Sequence, residues 1–274
     1  MLLTPRYRST PVLELDGDPA AVALPLIRQR RRLVGVVERL TDEEWAHPSR
    51  CDGWSAGDVA THLASTNTFW EASIRSGVSG APTEMLAAFD PVASPARMVA
   101  GSAMSTDEIV ETFATSTESL ADLVDSVTDA DWEALAEAPP GHVSVSAVAH
   151  HALWDSWIHE RDILLPLGRT PEEEPDEVVA CLRYVAGFTP ALALNGGATG
   201  STGFDVSVVD PVAAFHVAVG AEVVVSGGTA GAAFELTGRA ADLVEALSFR
   251  CPMDQEIPET LDWVFAGLGT VFDR

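Results

Sequence analysis

From residue 19 to residue 40, Val22, Leu26 and Ile27 and then Val34, Val37 and Leu40 recur at three- and four-residue intervals, with arginines between them. That period gathers apolar side chains on one face of a helix. Thr41 to Glu44 carries a capping-box pattern and opens a short turn that ends near Pro48. A second long helix is predicted from CDGWSAGDVATHLA: Ser55 is the N-cap, Asp58 sits at the third helical position, and Trp54 is placed to pack on Val59. It runs through Phe69, Trp70 and Ile74 until Gly77 and Gly80 stop it. A third helix covers 106–127, with Ile109, Val110, Phe113, Leu120, Leu123 and Val124 on one side. A fourth covers 144–167 and ends at Gly168. LTDEEW after the first helix is echoed by VTDADW after the third, which hints at a repeated helix-pair layout. Four long amphipathic helices predict a bundle.

The pattern then changes. RTPEEEPDE (169–177) reads as a surface connection into a further helix over 177–194. From NGGATGSTG onward the chain breaks into FDVSVV, AAFHVAV, EVVVSGG and AAFELTG, short β-branched runs separated by turn residues. RAADLVEALSFR and a segment over 258–268 return to helix. The expected fold is therefore α+β and mainly α. A helical bundle over 19–170 is followed by a small α+β domain over 195–274, with a linker and helix at 171–194 between them.

Composition narrows the function. The chain has 274 residues, long enough for two domains, and 47% apolar residues with 7 Trp, ample for a core. The net charge is −25, and every basic residue is Arg. Such a surface repels phosphate backbones and anionic membranes, so neither nucleic acid nor lipid is an expected partner. Cys51, Cys181 and Cys251 are odd in number and far apart, which suits a reducing compartment better than a disulfide framework. Pro5 and Arg6 come too early for a signal peptide, and no apolar run is expected to reach the ~20 residues of a membrane span. A cytoplasmic protein, monomeric or homodimeric, is expected.

The candidate chemistry lies in HHALWDSWIHERD (150–162). His151, Asp155, His159 and Asp162 fall within about ±40° of one line along the fourth helix. Leu153, Trp157 and Leu164 form an apolar ridge almost opposite. If that ridge alone faced the core, the polar stripe would be an ordinary wetted face. Yet Val148, Ala152 and Ile158 lie among the stripe's polar residues, and on the second helix His62 shares a face with Val59, Thr66 and Phe69. His62 therefore points into the bundle, where facing helices supply metal ligands. An Asp and a His at i, i+4 offer two ligands to one ion, and a His from a second helix makes three, leaving a position open for water or substrate. His151 is either a partner behind the ligands or a replacement for one of them. His47 and His142 sit in turn-like segments, His216 lies in a strand without a sequence partner, and His150 points about 140° from Asp155.

These residues resemble a known family. CDGWSAGDVATHLA, WDSWIHERD and GRAADLVEALSFR are similar, in this order and spanning most of the chain, to three segments of the mycothiol-dependent maleylpyruvate isomerases, a branch of the DinB-like bundle proteins. The resemblance implies a metal-binding four-helix domain followed by an α/β domain. It implies a divalent ion, zinc first and nickel or iron as alternatives, held by His62, Asp155 and His159, with mycothiol supplying a nucleophilic thiol. Zinc stabilises thiolate over thiol at neutral pH. Thiolate addition to a conjugated cis-alkene, rotation and elimination would give the trans isomer, and addition alone would be a thiol transfer. Arg250 matches the family's C-terminal Arg and is placed by the resemblance on a substrate carboxylate. Asp155 stands where the family usually has Glu, and Phe249 where it has Gly.

The resulting expectation is a metal-dependent isomerase or S-transferase that uses mycothiol on a small electrophile bearing a carboxylate. A hydrolase of the same bundle using metal-bound water, or a non-catalytic small-ligand carrier, are the alternatives. Thiol dependence separates the first from the second, and metal content separates both from the third.

Overall fold

The computed structural model describes residues 2–271. A short β1 (Leu13–Leu15) precedes α1 (Ala23–Val37), the one-turn α2 (Asp42–Trp45), α3 (Ala56–Val78), α4 (Ala93–Gly101) and α5 (Thr106–Ser126). A hairpin of β2 (Leu135–Ala138) and β3 (Gly141–Ser144) leads directly into α6 (Val145–Leu164), which α7 (Pro175–Asn195) follows. Then come β4 (Thr202–Val209), β5 (Ala213–Val219), β6 (Val223–Gly227), β7 (Glu235–Arg239), α8 (Ala240–Leu247), α9 (Asp262–Phe265) and α10 (Gly267–Val271). The architecture is α+β and mainly α, as the periodicity predicts.

Helices α1, α3, α5 and α6 form the bundle, α3 and α1 each packing against both α5 and α6. Two of the expected helix starts are built as capping boxes, at Thr41 with Glu44 and at Ser55 with Asp58. Gly77 does not stop α3. A Cβ there would lie 2.7 Å from the Leu135 carbonyl oxygen and 2.8 Å from the Ala136 Cβ, so the glycine lets β2 cross the helix closely. The β2–β3 hairpin, α4 and β1 were not read from the sequence. The first two are short, and β1 is a three-residue strand whose partner lies some two hundred residues away.

The five-stranded sheet has the order β1-β6-β5-β4-β7. Strands β4, β5 and β6 form an antiparallel meander, while β1 and β7 add parallel to β6 and β4. Residues before the expected first domain thus complete a sheet made from the C-terminal third of the chain. Gln255 shields the β7 edge, its side chain accepting from Thr237 N at 3.1 Å and donating to Glu235 O at 2.7 Å.

Helix α7 departs from one expectation. It has 21 residues and contains an 18-residue window of mean hydropathy 1.4, long and apolar enough to cross a membrane by length and composition. Packing accounts for that character: α7 lies between α6 and α8 and against the sheet, and most of its apolar residues are buried. Gly187 marks the contact, since a Cβ there would meet Leu13 Cδ1 at 2.7 Å and Val225 Cγ2 at 2.8 Å.

Helix α6 decides the question raised by its polar stripe. Leu153 and Trp157 are fully buried on one side, and His151 and Asp162 are buried on the other. The helix runs through the interior between α1, α3 and α7. Neither side is a wetted face, so its polar groups must find partners within the protein.

Candidate metal centre

The Ser55 cap fixes the start of α3. Ser55 Oγ accepts from Asp58 N at 3.1 Å, and the Asp58 carboxylate accepts from Ser55 N at 2.8 Å. Two helical turns on, His62 leans against the Trp54 ring, centroids 5.3 Å apart, and faces α6. Asp155 Oδ1 lies 4.0 Å from His62 Nε2 and 3.6 Å from His159 Nε2. The two imidazoles meet edge to face at 5.2 Å. One donor atom from each of His62, Asp155 and His159 lies within 4.8 Å of the others. Their side chains are 11–14% exposed, so the cluster is enclosed but not sealed.

The electrostatics suit a cation. Burial pulls the His62 pKa down to about 4, with Asp155 opposing and His159 and Arg30 reinforcing the shift. Burial alone would raise the Asp155 pKa. The fields of His159, His62, His151 and Arg30 outweigh it and hold the carboxyl below its ordinary value. Asp155 Oδ2 is buried without a hydrogen-bond partner. A buried, ionised carboxylate with one oxygen near two imidazole nitrogens and the other unpartnered leaves an unfilled polar position.

Asp162 orients the cluster from behind. Its Oδ2 is 3.0 Å from His159 Nδ1, which keeps a ring proton on Nδ1 and directs Nε2 towards Asp155. Burial would lower the His159 pKa, but the field of Cys51, the bond to Asp162 and the charge of Asp155 lift it to about 10. Asp162 itself is fully buried and accepts from Arg50 Nε at 3.0 Å, Arg250 Nε and Nη2 at 2.8 Å each, and Cys51 Sγ at 3.2 Å. Despite its burial, the bonds to His159 and Arg250 hold its carboxyl far below the usual range. Cys51, His159 and Asp162 also bring one donor atom each together within 4.8 Å. Two guanidinium groups on Asp162 make that position unsuited to a second cation.

Arg250, assigned by resemblance to a substrate carboxylate, lies beside the cluster with Nε and Nη2 on the Asp162 carboxylate and Nη1 3.4 Å from Ser248 O. Its backbone is set by the end of α8. Phe249 adopts φ +58°, Phe249 N donates to Ala246 O, and Arg250 N donates to Glu245 O at 2.9 Å. This is the pair of bonds that closes a helix with a left-handed residue, where glycine is the usual occupant. Phe249 keeps the turn that a glycine would make, so the arginine is presented all the same.

His151 stands apart from the three donors. Its Nδ1 is 2.6 Å from Tyr184 Oη, and its ring is enclosed by Trp70, Trp154, Tyr184 and Phe188 at 4.7–5.3 Å. The other histidines lie elsewhere. His142 sits between the Arg8 and Thr83 carbonyls, and His150 Nδ1 is 2.8 Å from Ser146 O. His216 has a partner that sequence spacing did not reveal: Asp205, directly across the β4–β5 ladder, at 2.7 Å. Sequence reasoning also missed Cys51, Arg50, Tyr184 and Arg30. Only Cys51 carried a local signal, its place just before the Gly-Trp-Ser start of α3.

Residues 26–164 match the family described as the mycothiol maleylpyruvate isomerase N-terminal domain. No curated protein matches the chain in sequence. Among solved structures, the chain is similar to the crystal structure of the mycothiol-dependent maleylpyruvate isomerase, with a TM-score of 0.57 and 17% identity, over 88% of this chain and 94% of that one. A histidine-to-alanine mutant of a mycothiol-dependent maleylpyruvate isomerase aligns over the same shares at 16% identity and a TM-score of 0.57. At this identity the likeness is one of fold.

Proposed function

Because this chain belongs to the mycothiol maleylpyruvate isomerase family, we propose that it is a cytoplasmic, metal-dependent enzyme that uses mycothiol to isomerise, or to transfer a thiol to, a small electrophile bearing a carboxylate. His62, Asp155 and His159 are the proposed metal-holding residues. The observation that carries this reading is the Asp155 carboxylate, whose Oδ1 lies within 4.0 Å of two imidazole nitrogens while its Oδ2 is buried without a partner. An Asp with two His is a donor set suited to zinc, with nickel and iron as alternatives. A bound divalent cation would supply Lewis acidity, favouring thiolate over thiol at neutral pH.

The chain's own residues supply the rest. Asp162 holds a proton of His159 on Nδ1, so that Nε2 is the nitrogen presented to the metal, and Trp54 limits where the His62 ring can turn. Asp155 has one methylene less than the Glu usual at its position. Its Oδ1 nonetheless approaches both imidazoles within 4.0 Å. Arg50 and Arg250 place two cationic groups beside the centre, in a protein whose net charge of −25 otherwise repels carboxylates. Arg250 is the proposed contact for the substrate carboxylate, through the part of its fork that Asp162 leaves open.

The test is cis-to-trans conversion of an electrophilic alkene by metal-loaded protein with mycothiol, with glutathione and with no thiol. Turnover is expected with mycothiol and poor turnover with glutathione. Equal turnover without thiol would replace this reading by metal-dependent hydrolysis.

A further inference from the structure

Arg30 has no part in the roles assigned above. It projects from α1 into the bundle core and is almost completely buried. Nη1 donates to Asn67 Oδ1 and Nη2 to Ala152 O at 2.9 Å, while Nε is buried without an acceptor. Asn67 lies five residues beyond His62 on α3, and Ala152 three residues before Asp155 on α6. The guanidinium is therefore wedged between the two helices that carry the three donors, within about two turns of them. Both of its partners are neutral. Burial lowers its pKa to about 10, so it remains a cation at neutral pH, and the carboxylate whose field it feels is Asp155.

A buried cation without a paired carboxylate is costly unless the surrounding site uses its charge. A divalent ion on His62, Asp155 and His159 would leave an excess positive charge, which Arg30 increases. A bound anion relieves that excess, whereas a neutral ligand does not. We infer that Arg30 is a fixed counter-charge that biases the centre towards an anionic ligand, a thiolate or carboxylate, at some expense in affinity for the metal itself. This inference rests on the metal reading above.

Two variants remove the free charge by different means. Arg30→Gln deletes it. Asn67→Asp keeps the arginine and gives it a carboxylate of the same shape, while the Ser116 and Thr117 hydroxyls that now accept from Asn67 Nδ2 can donate instead. The second variant opens no cavity and serves if the first fails to fold. Metal-free proteins would be titrated with zinc by calorimetry. Cobalt(II)-loaded proteins would then be titrated with azide and with imidazole, followed by the visible spectrum. Both variants are expected to bind zinc several-fold more tightly and azide about tenfold more weakly, with imidazole changed less than twofold. If zinc, azide and imidazole all weaken together, Arg30 is a packing element and the inference is overturned. An unchanged azide-to-imidazole ratio overturns it as well. Wild-type protein that takes up neither zinc nor cobalt refutes the metal reading itself, and this inference falls with it.

Discussion

Arg250 lays its guanidinium along the Asp162 carboxylate, Nε on Oδ1 and Nη2 on Oδ2 at 2.8 Å each, and so ties the end of α8 to the last turn of α6. Arg50 joins the same carboxylate and also grips Glu245 of α8 with both of its Nη nitrogens, at 2.6 and 3.1 Å. Helix α6 and the C-terminal part of the chain meet in one charged cluster. Asp162→Ala would leave two partly buried guanidiniums without their shared anion. A loss of about 3 kcal/mol is expected, measured by denaturant unfolding. Metal content should survive, because the three donors remain. A variant with wild-type stability would show that the cluster contributes nothing to folding.

Protein purified without chelator should hold about one divalent ion per chain by elemental analysis. His62→Ala and Asp155→Ala should lose most of it, since two donors bind poorly, and Asp155→Glu should retain it. His151→Ala should keep the ion, with affinity lowered by no more than about 100-fold, because its ring bonds to Tyr184 rather than to the donor set. If His151→Ala loses the metal while Asp155→Ala keeps it, the assignment is wrong by one helical turn.

Arg250→Ala should reduce kcat/KM for carboxylate-bearing substrates by about 2–4 kcal/mol. The matching methyl esters should show a much smaller effect. Equal losses on both would mean that Arg250 acts only by holding Asp162.

The left-handed Phe249 allows a clean comparison. Phe249→Ala and Phe249→Gly both remove the ring, but only glycine also relieves φ +58°. The glycine variant should be the more stable by about 1 kcal/mol. Equal melting temperatures would show that the turn shifts once the ring is gone.

The metal-free protein should be most stable near neutrality. Burial pulls His150 and His151 down to about 4 from an ordinary value near 6.5. Between those values the unfolded chain takes up the protons, so stability falls as the pH drops from 6.5 towards 4. His159 is raised to about 10, so its contribution is complete below pH 6.5 and is lost as the pH rises towards 10. Melting temperature against pH should therefore decline on both sides. His150→Gln should flatten the acid limb and His159→Asn the alkaline one.

Several features of this protein were determined by sequence alone, because they depend on neighbours a few residues apart. The capping boxes at Thr41 and Ser55, the four bundle helices, the meander of β4, β5 and β6, and the spacing of Asp155 and His159 are all local patterns with a physical period. His62 could be aimed at the core because its helical face is apolar. Other features depended on contacts across the chain. β1 joins the sheet through hydrogen bonds to β6 that no three-residue stretch announces. Gly77 read as a helix stop and turned out to be a close crossing, and Gly187 proved to be another inside α7. The α6 stripe was ambiguous because one helix cannot report what lies on its second side, and only the packing of α1, α3 and α7 around it buried both. Arg30, Arg50 and Cys51 belong to the centre for the same reason: their charge or thiol acquires a role only where tertiary folding sets it beside Asp155, Asp162 or His159 and excludes the water that would otherwise screen it.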